Sequence, residues 1–162
     1  MKAREVLRRS VPICTPLSSL DDVGRMMYES DQGAIPVVSP EGKVVGLLTD
    51  REIAMAMAAK NRGSAQILVR ELLGGELAFC GADDAIADVF QKMKTQRIRN
   101  LPVVDGEGRI LGVISLEDLA HASLQGEITP DQFVLTLQAL GKTRAESGET
   151  VPKWPWVNAA SR

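Results

Sequence analysis

The chain has 162 residues, 44% hydrophobic and 25% charged, an ordinary globular composition that suffices for one compact domain or two small units. Its net charge of −2 provides no general pull toward nucleic acid or an anionic membrane. No window approaches the roughly 18 apolar residues of a membrane span, and Met1-Lys2-Ala3-Arg4-Glu5 leads into no apolar run, so a cytoplasmic protein without a secretory signal is expected.

After a lead-in that ends near Leu7, Ser18-Ser19 precede Leu20, Val23 and Met27, which share one face of a predicted helix. Residues 34–38 form a short apolar strand. Ser39-Pro40-Glu41-Gly42 then fits a turn, with proline presetting φ and glycine tolerated at the fourth position. Residues 43–48 return as the partner strand, and residues 50–59 read as a helix rich in alanine and methionine. The polar and glycine cluster Asn61-Arg62-Gly63-Ser64 marks a boundary. Asp84 then precedes a helix on Ile86, Val89, Phe90 and Met93. Strands at 101–104 and 109–114 follow, joined through Asp105-Gly106-Glu107-Gly108. Thr129-Pro130-Asp131-Gln132 opens a last helix with a capping-box pattern, and Phe133, Leu137 and Leu140 make its apolar stripe up to Gly141. The remaining residues, 142–162, are polar and carry Trp154 and Trp156; they read either as a flexible terminus or as an aromatic anchor for a partner.

The second half of this plan repeats the first. Residues 35–49 lie without a gap over residues 101–115 at an offset of 66, from Ile35-Pro36-Val37-Val38 on Leu101-Pro102-Val103-Val104 to Thr49 on Ser115. Upstream, Cys14 falls on Cys80, Met27 on Met93 and Arg4-Glu5 on Arg70-Glu71. A repeat this long is one supersecondary unit made twice. The copies are assigned to residues 1–62 and 63–122, with 123–162 as a C-terminal helix (about 130–140) and tail. Paired copies create a cleft, and clefts take small ligands. Cys14 and Cys80 are expected as buried small apolar residues rather than a disulfide or redox pair.

Two motifs carry the chemistry. Thr49-x-x-Glu52 and Ser115-x-x-Asp118 both stand where a strand ends and a helix begins. One reading is a capping box that satisfies the first backbone N–H groups of the helix. The other uses the same place for a nucleotide: a helix N-terminus suits a phosphate, and a carboxylate accepts from a ribose diol.

An apolar-Pro-Val-Val strand, a glycine turn, a Gly-apolar-apolar-Ser/Thr strand end and an acidic residue three positions on resemble the cystathionine-β-synthase (CBS) domain. The two copies resemble a tandem CBS pair over about residues 1–122, and the run from Gly46 to Ile53 is similar to small stand-alone bacterial CBS proteins. The resemblance implies an α/β (mixed α+β) fold of two β-α-β-β-α repeats in a pseudo-symmetric pair. It implies that Ser115 and Asp118 contact the ribose and phosphate of an adenosyl ligand, with Arg97, Arg99 and Asn100 ahead of Leu101-Pro102 reaching the phosphate. The base would lie against the stretches containing Thr15 and, in the other copy, Phe79 and Gly81. Backbone around Ala34-Ile35-Pro36 or Asn100-Leu101 would read the adenine. The first copy has Thr49, Asp50, Arg51 and Glu52, but Gly33-Ala34 in place of Arg99-Asn100. There the extra methylene of Glu52 is expected to displace the carboxylate, with Arg51 compensating.

Nothing assembles into a catalytic site. His121 is the only histidine, no nucleotide-binding glycine loop or Walker loop is present, and three phenylalanines with one tyrosine make no stacking platform for nucleic acid. The expectation is therefore a non-catalytic regulatory module with no classical cofactor. It would bind AMP, ADP, ATP, NAD(H) or S-adenosylmethionine between its copies and pass the change to a protein partner. The resemblance implies a homodimer through the CBS helices, with Met26, Met27, Met55, Met57 and Met93 available for packing. The alternative is a constitutive scaffold that docks a partner through Phe133, Leu137, Trp154 and Trp156.

Overall fold

The computed structural model describes residues 1–124, 128–141 and 146; the expectation for Trp154 and Trp156 lies outside them. In chain order the elements are α1 (Ala3–Val6), α2 (Leu20–Ser30), β1 (Ala34–Val38), β2 (Val44–Thr49) and α3 (Asp50–Lys60). Two short 3-10 turns, Ser64–Gln66 and Val69–Glu71, lead to β3 (Cys80–Gly81), α4 (Ile86–Gln96), β4 (Asn100–Val104), β5 (Ile110–Ser115), α5 (Leu116–Leu124) and α6 (Pro130–Gly141). The mixed α+β plan of two repeats and a C-terminal helix is therefore present.

Local chemistry sets most of these limits. The Ser19 Oγ accepts from the Asp22 N–H at 3.1 Å and caps α2, whose Leu20, Val23 and Met27 are buried. The Ser39–Gly42 turn closes through the Gly42 N–H on the Ser39 carbonyl at 2.9 Å, and Gly42 (φ 81) and Gly108 (φ 82) occupy the left-handed region at matching places. β1 and β2 pair antiparallel from Ala34↔Thr49 to Val37↔Gly46, with a bulge before Val38↔Val44. The first strand expected in each copy is short: β3 pairs parallel with β4 through Cys80↔Val103 and Gly81↔Val104, and Cys14 makes only a parallel bridge to Val37. α4 starts after Ala85 without a side-chain cap, because Asp84 instead accepts from the Gly81 N–H at 3.1 Å.

The chain packs as two compact units that cut across the sequence copies. Among the described residues, one comprises residues 11–77 and 108–110; the other comprises 1–10, 78–107 and the described residues from 111 to 146. Each copy thus gives its lead-in to the unit built from the other copy. In the second unit the Ala3 N–H donates to the Asp84 carbonyl at 2.9 Å, Arg8 and Val113 exchange backbone bonds at 2.9 and 3.1 Å, and Lys2 and Arg4 pair with Asp83. In the first unit the Leu20 N–H donates to the Ile67 carbonyl and the Val69 N–H to the Ser18 carbonyl, both at 2.9 Å, while Lys60 and Arg62 pair with Glu71. The exposed ion pairs contribute little, because water and salt screen them. Apolar burial holds the lead-ins: Ala3 and Leu7 join Met93, Leu101 and Ile114 in one core, and Ile67, Val69 and Leu72 join Val23, Ile35 and Val37 in the other.

α6 belongs to the second unit. Thr129 and Gln132 exchange the expected capping bonds at 3.3 and 3.4 Å. Its packed side runs through Phe133 and the buried Thr136, whereas Leu137 remains exposed; the expected apolar stripe is rotated toward the smaller residue. Thr136 can be buried because its hydroxyl donates to the Gln132 carbonyl at 2.9 Å. Phe133 meets Phe90 edge to face, with ring centroids 6.4 Å apart. Phe133→Ala is expected to cost about 2 kcal/mol, less than a fully buried phenylalanine. The same change should strip α6 amides of hydrogen-exchange protection before the rest of the unit; uniform protection would show that the ring does not anchor the helix.

Candidate functional site

The second-copy motif sits where β5 hands over to α5. Ser115 is buried, and Asp118 stands one turn into the helix with an 18% exposed side chain. The Ser115 N–H and Oγ both donate to Asp118 Oδ2 at 2.8 Å, and the Asp118 N–H returns a bond to Ser115 Oγ at 3.2 Å. This is the capping box of one reading. Its bonds fall on Oδ2, as does a third partner: Arg8 Nε donates there at 3.0 Å. Oδ1 takes none of these bonds.

The first helical N–H groups are unequally used. The Leu116 N–H donates to the Arg99 carbonyl at 2.9 Å, and the Asp118 N–H is spent on Ser115. Between them the Glu117 N–H has no partner among the described residues. The backbone of Arg99 is thereby fixed against the start of α5 while its side chain is exposed. Arg97 ends α4 in the left-handed region (φ 54), where Asp31 and Asn61 stand after α2 and α3. Asn100 opens β4 and is half-buried. Leu101 and Pro102 are buried, Leu101 in the core, so Leu101 offers a ligand only its backbone. Phe79 is exposed, and its carbonyl and the Asp84 carboxylate both accept from Lys92 Nζ at 3.1 Å, which ties down the stretch that includes Gly81.

The first-copy end closes the same box. The Thr49 N–H and Oγ1 donate to Glu52 Oε2 at 2.8 and 2.9 Å, and the Glu52 N–H donates to Thr49 Oγ1 at 3.3 Å. The longer Glu52 side chain curls back onto the cap. What differs is Asp50. Its Oδ1 accepts from the Arg51 N–H at 2.7 Å, so the N–H left open in α5 is filled in α3 by the chain's own carboxylate. Arg51 is exposed and makes no bond to Glu52. Ala34, Ile35 and Pro36 are buried in β1, and the exposed Thr15 spends its Oγ1 on Ser18 Oγ and the Leu17 N–H.

Sequence reasoning missed Arg8. Its counterpart at the offset of 66 is Gly74, so a full list of mismatches between copies would have drawn attention to it. Only the exchange of lead-ins shows that it reaches Asp118. Among the described residues no group of three or more His, Cys, Asp or Glu could hold a metal ion, and no helix is long and apolar enough to cross a membrane.

Comparison with known proteins agrees with the fold. The CBS domain family model matches residues 3–59 and 69–125. The CBS domain-containing protein YhcV of Bacillus subtilis (strain 168) is 32% identical over 124 residues, 76% of this chain and 86% of that protein. Among solved structures, the CBS domain pair of protein MJ0100 in complex with 5-methylthioadenosine and S-adenosyl-L-methionine is similar in fold, with a TM-score of 0.67 at 24% identity over 76% of this chain and 99% of that one. CBSX2 in complex with AMP has a TM-score of 0.66 at 20% identity over 78% and 98%. Two family matches, falling on the two copies that the repeat and the paired capping boxes define, mean that the chain belongs to the CBS domain family as a tandem pair.

Proposed function

We propose that this chain is a regulatory module, without catalysis of its own, that binds an adenosyl ligand at the Ser115–Asp118 end of the second copy. The observation that carries the reading is the pairing of an 18% exposed carboxylate with an open helix N–H one residue before it, flanked by Arg8 and Arg99. A ribose diol suits Asp118 Oδ1, and a phosphate suits the Glu117 N–H and a guanidinium. Arg97 supports the same reading, since a position favouring Gly or Asn carries an arginine at a cost of about 1 kcal/mol. Fold neighbours that hold AMP or 5-methylthioadenosine and S-adenosyl-L-methionine make an adenosyl compound the natural class to test.

Ligand binding then biases the conformation that a protein partner reads, which requires unequal affinity for two states. The module works in the cytoplasm as a homodimer through its CBS helices. The 90% exposed Tyr28 and the exposed Met57 of α2 and α3 support such a face, whereas Met27 and Met93 are core residues.

Thermal stability followed against AMP, ADP, ATP, NAD(H) and S-adenosylmethionine tests the reading. A ligand at 100 times its Kd should add about 2.7 kcal/mol. Asp118→Ala should weaken that ligand at least about ten-fold, the loss expected for a hydrogen bond to a charged group. Stabilisation by none of these compounds would leave the constitutive scaffold as the function.

A further inference from the structure

We propose that the second-copy site selects adenosyl ligands by the negative charge of a phosphate, while the matching end of the first copy is closed to them by its own Asp50 carboxylate. This rests on the adenosyl reading of the Ser115–Asp118 end and names the charge class of its ligand.

The two ends share their scaffold and differ in charge at equivalent places. At or just before the Ser115 end the chain carries Arg8, Arg97 and Arg99 against Glu117 and Asp118, with Arg8 on Asp118 and the Arg99 backbone on the Leu116 N–H. The equivalent positions around Thr49 are Gly74, Asp31, Gly33, Arg51 and Glu52, and Asp50 is added where the second copy has Leu116. Three cations against two carboxylates become one cation against three. The geometry makes the difference local. Arg8 Nε, 3.0 Å from Asp118 Oδ2, offsets the carboxylate that would otherwise repel a phosphate, and the carbonyl bond from Arg99 to the Leu116 N–H holds an exposed guanidinium at the first turn of α5. Leu116 is buried in the second unit and brings no charge to that turn.

In the first copy Asp50 occupies the place of an incoming anion. Its Oδ1 takes the Arg51 N–H at 2.7 Å, and its Oδ2 lies 3.4 Å from where a side chain on Gly33 would begin. The carboxylate therefore already covers the site of the missing Arg99 equivalent. A phosphate arriving there meets like charge and finds its donor spent. By the same argument a sulfonium cation, as in S-adenosylmethionine, is disfavoured beside Arg99 in the second copy.

Calorimetric titration of the full chain with AMP, adenosine, 5′-methylthioadenosine and S-adenosylmethionine decides the matter. AMP should bind about ten-fold or more tightly than adenosine or 5′-methylthioadenosine, as charge-assisted bonds to phosphate would supply. It should bind once per chain, with affinity falling as salt rises. S-adenosylmethionine should bind more weakly than AMP. Arg99→Gln should bring the AMP-to-adenosine ratio to within about two-fold of one; the exposed side chain makes this variant foldable, since the backbone carbonyl makes the structural bond. Adenosine binding as tightly as AMP, S-adenosylmethionine binding more tightly, or two equal AMP sites per chain would overturn the selection while leaving an adenosyl site in place. Equal loss of adenosine and AMP in Arg99→Gln would assign Arg99 a structural role and overturn it as well. Binding of none of the four would remove the adenosyl reading itself.

Discussion

Gly112→Ala is expected to destabilise the second unit by about 2–4 kcal/mol, whereas the matched Gly46→Ala should cost less than about 1.5 kcal/mol. A Cβ on Gly112 would run into the Arg8 carbonyl oxygen and Leu7 Cδ1, with the Arg8 carbonyl carbon at 3.0 Å. That carbonyl is fixed, because it accepts from the Val113 N–H at 3.1 Å in the bridge that seats the lead-in. Relief therefore means breaking backbone hydrogen bonds and moving Leu7 out of the core. At Gly46 the close neighbour is Leu73 Cδ2, the end of a flexible side chain, and Val37 Cγ2 follows at an ordinary 3.5 Å. A rotamer change accommodates it. Urea unfolding of both variants at unchanged slope gives the comparison. Because Arg8 follows directly from the displaced backbone, Gly112→Ala should also weaken nucleotide binding, and Gly46→Ala should not. Equal costs at the two glycines would show that the lead-in of the second unit yields as readily as a side chain.

The second large effect concerns pH. Burial pushes the Cys14 and Cys80 thiols up from 9.0 to about 11, with the Asp84 charge adding to the effect on Cys80. The folded state thus holds neutral thiols where the unfolded chain already ionises. Their contribution is fully present below pH 9, declines between pH 9 and 11, and is lost above that. Each rise corresponds to about 2.7 kcal/mol, or about 5 kcal/mol for the pair. Denaturant midpoints at about pH 8.5, 9.5 and 10.5 should fall steeply, and the Cys14→Ala/Cys80→Ala double variant should fall less by about 3.5 kcal/mol, the part of that loss reached by pH 10.5. The double variant also subtracts whatever else the alkaline range changes in both proteins. Parallel curves for the two proteins would sink the assignment.

Much of this fold was legible in the chain because its signals are local. Ser19, Thr49, Ser115 and Thr129 announce helix starts by the residue types that cap them, and the two glycine turns fix where the strands return. The Ser/Thr-x-x-acid motifs were found for the same reason. The sites themselves were less visible. Arg8 and Asp118 are separated by 110 residues, and no periodicity spans that distance. Glu52 closes the same box as Asp118 because one methylene is absorbed by side-chain torsion. Only the placed Asp50 carboxylate is seen to lie against Gly33 and to take the Arg51 N–H. Thr136 escaped notice because a hydroxyl bonded to its own helix passes as apolar surface.

The exchanged lead-ins also order events during synthesis. Residues 11–77 hold nearly everything the first unit packs, so that unit can close while the rest of the chain is still being made. Residues 1–10 are made well before their partners: Asp83 and Asp84 follow about 80 residues later, and β5 and α5 later still, with Arg8 and Asp118 110 residues apart. At about 5–20 residues per second this leaves them waiting roughly 5–20 s. Ala3 and Leu7 stay apolar and exposed for that interval, and Arg8 meets Asp118 only when α5 is complete. The Arg8–Asp118 pair is therefore among the last contacts of the described chain to form, although Arg8 is made 110 residues before its partner.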